Sequence, residues 1–86
     1  MRQSKLYTPD GKVTDVAPAN GADFRLEELQ KHVGGYIELV YLDADTVLVV
    51  NEEGLLMQLP LNTRASRLAE RPIVGAAIWM DSKCIK

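Results

Sequence analysis

The chain has one cysteine, Cys84, and one histidine, His32. A single cysteine allows neither an intramolecular disulfide nor a multi-cysteine zinc pattern, and it points to a reducing, cytoplasmic compartment. A Cys84–His32 nucleophile dyad is the one pairing of its kind available, because Ser4, Ser66 and Ser82 lack a nucleophile-elbow context and no second histidine exists to serve as base. The helix dipole accounts for a histidine near a helix C-terminus, and a polar C-terminal tail accounts for Cys84, so neither is assigned to catalysis. The expectation is a non-enzymatic protein without a cofactor or a metal.

Aromatic residues are also few: Tyr7, Phe24, Tyr36, Tyr41 and Trp79. They are too few for a base-stacking platform and are expected mostly in the core. The longest apolar run, Ile73 to Met80, is interrupted by Gly75 and falls well short of the ~20 residues a membrane-crossing helix needs. Basic residues near Met1 are not followed by an apolar stretch of signal-peptide length, so no membrane association is expected. Gly34-Gly35 and Gly75 lack the Walker and dinucleotide spacings.

What is present suits a single domain over residues 1–86. The length leaves room for one core, and 47% hydrophobic with 26% charged residues is a globular balance. So small a domain buries only about 60–65% of the surface its unfolded chain exposes, and a partner or a second copy would add to its stability. Charge is unevenly placed. Residues 1–60 hold ten acids against five Lys and Arg, whereas residues 61–86 hold two acids against five. The two ends therefore present different electrostatic faces.

Along the chain, Lys5 to Thr8 and Lys12 to Val16 are β-favouring runs around Pro9-Asp10-Gly11, a hairpin turn. Leu26, Leu29 and Val33 fall at helical spacing, predicting a helix from about 25 to 33, with Asp23 as its cap if it begins at Phe24 and Gly34-Gly35 as its left-handed stop. Tyr36 to Leu42 and Thr46 to Val50 form a second hairpin, apolar on both faces. Gly54 is placed for a left-handed turn, and Leu55 to Leu59 reads equally as a short strand or a buried loop. Asn62 caps a second helix from Thr63 to about Glu70, with Ala65, Leu68 and Ala69 inward. Ile73 to Met80 reads as an interior strand. The fold class is α+β, a mostly antiparallel sheet of about five strands with two helices in the order ββαββ(β)αβ. Both helices are expected on one face, over a single core of Leu26, Leu29, Val33, Ile37, Leu39, Val47, Val49, Leu68, Ile73, Val74 and Ile78. The second apolar face of the 36–50 hairpin then needs other cover, from a partner protein or from a homodimer.

One cluster carries candidate chemistry. Arg64, Arg67 and Arg71 fall at i, i+3 and i+7, on one side of the second helix, and Asn62 marks its electropositive end. The guanidinium groups suit phosphates or carboxylates. An ordinary solvated face paired with Glu70 or the acidic hairpin explains the same spacing. Asp43 and Asp45, with Glu52 and Glu53, are read as solvated turn residues at opposite ends of their hairpin.

The ordered segments Phe24-x-Leu26-Glu27-Glu28-Leu29-Gln30, Val33-Gly34-Gly35-Tyr36-Ile37-Glu38, Val50-Asn51-Glu52-Glu53-Gly54, Leu59-Pro60-Leu61-Asn62 with Arg64-Ala65, and Ile73-Val74-Gly75 are similar to those of a family of small bacterial, plasmid and phage proteins catalogued as a domain of unknown function. The resemblance covers roughly residues 12 to 80, with Arg25 standing where a small capping residue is expected. It implies a mobile-element setting, in which small proteins act by binding and blocking a host factor. The functional expectation is a protein-interaction module that inhibits a host defence system. The alternative is a binder of a phosphorylated small molecule or nucleic acid through Arg64, Arg67, Arg71 and Asn62.

Overall fold

The computed structural model describes residues 3–85. Met1, Arg2 and Lys86 lie outside the described residues; Arg2 and Lys86 are among the charges counted above. The elements are β1 (Ser4–Tyr7), β2 (Val13–Val16), α1 (Leu26–Val33), β3 (Ile37–Tyr41), β4 (Thr46–Asn51), α2 (Thr63–Ala69) and β5 (Ala77–Asp81), followed by a 3-10 turn at Ser82–Cys84. One antiparallel sheet runs in the order β2-β1-β5-β4-β3, with the last strand inserted between the two hairpins. The α+β class and the order ββαββαβ are as expected. The optional strand at 55–59 is absent, since residues 52–58 form turns.

The helices lie on opposite faces, not on one. Val49 pairs with Ile78 and Val47 with Met80, and these four side chains join Phe24, Leu29, Val33 and Cys84 on the α1 side. Leu48 and Val50 alternate to the other side, where they meet Ala65 of α2, Ile73 and Ala77. Two clusters thus replace the single expected core. Alternation along a strand dictates this: β4 is buried at every position, so its two faces require separate cover.

Some residues expected in the core lie outside it. Leu26 is 51% and Leu68 40% exposed, while Val74 is half-buried. Leu26 occupies the first helical position, and Phe24 is fully buried instead, fastened by its N–H to the Cys84 carbonyl (2.6 Å) and bridged to Ile85. Cys84 is therefore a core residue rather than part of a polar tail. Ala65 and Ala69, four apart, turn inward and leave Leu68 outside. Of the aromatics, Phe24 is buried and Tyr7 and Trp79 half-buried, but Tyr36 and Tyr41 are exposed.

Local signals explain most boundaries. In the first turn Asp10 accepts from the Thr8 hydroxyl and from Lys12 N–H, and Gly11 takes φ 90°. α1 is capped by Arg25, not Asp23; Glu28 accepts from Arg25 N–H (3.1 Å), supplying the carboxylate half of a capping box, and its second oxygen accepts from Ala19 N–H (2.9 Å). Gly34, at φ 81°, ends the helix by donating to the Gln30 carbonyl (2.8 Å). Asn62 caps α2 as expected, accepting from Ala65 N–H (3.2 Å).

Candidate interaction surface

The arginine stripe divides in the folded chain. α2 ends at Ala69, and Glu70 takes a left-handed conformation (φ 55°), so Arg71 leaves the helix before Pro72 is reached. Its guanidinium lies 3.5 Å from Glu38 on the far hairpin. Arg64 and Arg67 stay together and, with Thr63 and the turn Thr8 to Gly11, line a shallow depression. Asn62 is separated from them by burial. Its Nδ2 donates to the carbonyls of Tyr7 (2.9 Å) and Gly75 (2.8 Å), and its amide side chain ties α2 to β1 and to the approach of β5. Its hydrogen bonds are all made inside the protein.

A different surface stands out, on the segment between β4 and α2. Leu55 is 78%, Leu56 82% and Met57 50% exposed, and Leu61 is exposed close by. Three consecutive large apolar residues in water are unusual because burying each leucine fully would contribute roughly 1.5–3 kcal/mol. Backbone hydrogen bonds order the segment: Met57 N–H donates to the carbonyl of Glu53 (2.9 Å), Gln58 N–H to that of Leu55 (3.2 Å) and Leu59 N–H to that of Gly54 (3.0 Å). At its base Asn51 is buried, donating to the Val33 carbonyl (3.0 Å) and accepting from Glu53 N–H (2.8 Å).

Gly54 does not take the left-handed conformation expected of it. A Cβ there would lie 2.7 Å from Val74 Cγ2, so glycine is required for close approach. The left-handed position in this segment is Gln58, at φ 56°. Beside Leu55 and Leu56 lies an open depression of about 330 Å³, walled by Glu38, Val50, Arg71 and Pro72.

A family model of a domain of unknown function, DUF3846, matches residues 6–84. The chain belongs to the DUF3846 family. No curated protein and no solved structure matches it. Residues of the segments that carry the family pattern have visible structural duties: Gly34 stops α1, Asn51 and Gly54 seat the exposed loop, and Asn62 locks α2.

His32 is exposed on α1, whereas Cys84 is buried. Asp43 accepts from the N–H groups of Asp45 and Thr46 (both 2.8 Å), which makes it a turn residue. No helix among the described residues is long and apolar enough to cross a membrane. Sequence reasoning overlooked the exposed loop, because a run of large apolar residues such as Leu55 to Met57 signals burial. The available warning was its setting: acidic Glu52-Glu53 before it and Pro60 after it leave little room for a paired strand.

Proposed function

We propose that this protein is a non-enzymatic interaction module that inserts Leu55, Leu56 and Met57 into a protein partner. The observation that carries the reading is the exposure of these three consecutive side chains on a hydrogen-bonded loop seated by the buried Asn51. An ordered loop loses less conformational entropy on binding than a disordered one, so a larger share of the apolar transfer free energy is left after the cost of association. A module of this size that covers a surface of a cytoplasmic host factor acts as an inhibitor, which fits the mobile-element setting implied by the family resemblance.

The test is affinity capture from a host lysate with the wild type and with Leu55→Ser/Leu56→Ser. Partner recovery should fall at least about tenfold in the double variant, the equivalent of 1.4 kcal/mol, while its melting temperature stays close to the wild type. Equal recovery by both proteins removes the loop from the functional account.

A second reading retains the arginines. Arg64 and Arg67 are exposed, form no ion pair among the described residues and line the same depression. It predicts salt-sensitive binding of a nucleotide or a short DNA that is lost in Arg64→Gln/Arg67→Gln. Asp10 on the rim of that depression weakens this reading, since its carboxylate repels the same anion.

A further inference from the structure

We infer that the outer edge of β3 takes up an extended, lysine- or arginine-rich segment of the partner protein as a sixth strand. The inference rests on the reading that this chain works by binding protein, but the groups that carry it are the backbone N–H and C=O groups of β3 and not the apolar loop. Among the described residues, β3 closes one side of the sheet and pairs only with β4. The phase of that ladder is set at both ends, where Glu52 N–H donates to the Tyr36 carbonyl (2.8 Å) and Leu42 N–H to the Thr46 carbonyl (3.1 Å). Hydrogen-bonded pairs therefore fall at residues 36, 38, 40 and 42, and the N–H and C=O groups of Ile37, Leu39 and Tyr41 point away from the sheet. Those outward groups recognise a backbone in extended conformation.

Sheets usually blunt such an edge with proline, lysine or a bulge. β3 has neither residue, and its pairing runs without interruption from Ile37↔Asn51 to Tyr41↔Val47. The opposite edge is protected. β2 is one residue shorter, it carries Asp15 paired with Lys5, and Pro9 and Pro18 lie in the segments before and after it.

Charge identifies the occupant. From His32 to Thr63 there is no lysine or arginine, while Glu38, Asp43, Asp45, Glu52 and Glu53 all belong to the β3–β4 hairpin and its ends; Arg71 reaches this group at Glu38 (3.5 Å), which still leaves the hairpin with an excess of acids. A second copy would bring the same acids alongside, whereas a basic strand complements them. On the α2 side of the sheet, the depression walled by Glu38, Val50, Arg71 and Pro72, with Leu55 and Leu56 beside it, adjoins this edge and has room for an apolar side chain. The segment that fits alternates basic and apolar residues.

The probe is a displayed library of random linear peptides, followed by synthesis of the enriched sequences. The expected outcome is enrichment of alternating Lys or Arg and apolar residues, with slowed hydrogen exchange at the amides of Ile37, Leu39 and Tyr41 in the complex. Tyr41→Pro deletes an outward N–H that has no partner in the ladder, and it should weaken peptide binding about tenfold, near the contribution of one hydrogen bond. N-methylation of alternate peptide amides should do the same without altering the protein, which covers the case of a misfolded variant. Enriched peptides without basic residues, or unchanged exchange at all three amides, overturn the inference. So does concentration-dependent self-association that protects those amides in the absence of peptide. If Leu55→Ser/Leu56→Ser abolishes partner capture while Tyr41→Pro leaves it intact, the loop reading stands and the edge inference falls; the reverse result keeps the edge and removes the loop.

Discussion

Leu55 to Leu59 and Ile73 to Met80 are the two most apolar stretches around α2, and they end in opposite environments. In the first, Leu55, Leu56 and Met57 face water; in the second, Ile73, Ala77, Ile78 and Met80 are buried. The segments touch, through glycines. Gly54 sits against Val74, and a Cβ at Gly75 would lie 2.7 Å from Leu59 Cδ1, while Gly75 N–H donates to the Pro60 carbonyl (2.8 Å). Hydropathy alone does not separate them. The second stretch enters the centre of the sheet between β1 and β4 from Ala77 on, where Ala77, Ile78 and Met80 meet faces already apolar; residues 55–58 of the first are a turn outside the sheet and have no such face to meet. Gly75, at φ 79°, marks the switch from loop to strand within the second run, which is why the strand begins at Ala77 and not at Ile73.

The largest break in this contrast should come from Ile78→Ala. Removing a fully buried side chain at the sheet centre is expected to cost about 2–5 kcal/mol, enough to unfold much of so small a domain, and chemical denaturation measures it. Asn62→Ala comes next, at about 2–3 kcal/mol, because the α2 cap is lost and the carbonyls of Tyr7 and Gly75 lose a donor. Restoration of stability by Asn62→Asp would contradict this, since a carboxylate replaces the cap but neither donor.

Gly54→Ala probes the contact between the two stretches and should cost about 1–3 kcal/mol through overpacking against Val74. Val74→Ala in the same chain should recover part of that loss, as a double-mutant cycle would reveal. Leu56→Ser sharpens the contrast from the other side. A residue 82% exposed should change the unfolding free energy by no more than about 0.5 kcal/mol, and a larger loss in a thermal melt would mean that the loop is buried in solution.

The smallest effect is expected far from both stretches. Glu28 is held below the ordinary glutamate range, chiefly by the N–H of Ala19 and then by that of Arg25. A depressed carboxylate contributes stability above its unfolded pKa and loses it as pH falls through the lower folded value. Glu28→Gln should therefore melt slightly lower at neutral pH and converge with the wild type in acid. Parallel melting curves at all pH values would show that neither hydrogen bond is maintained.

Local chemistry by itself determined a good part of this protein. The turn at Pro9-Asp10-Gly11, the stop at Gly34, the cap at Asn62 and the two hairpins are all legible, because each depends on groups within a few residues of one another: a side chain bonding the N–H two or three positions on, or a glycine free to take positive φ. The tertiary structure alone decided which face each helix covers, that Phe24 and Cys84 are core while Leu26 and Leu68 are not, and that Arg71 leaves its helix for Glu38. It also decided that Leu55, Leu56 and Met57 remain in water. These outcomes depend on neighbours remote in the chain, as when Asn62 binds the carbonyl of Tyr7 55 positions away, and an apolar side chain is buried only where such distant elements close a surface over it.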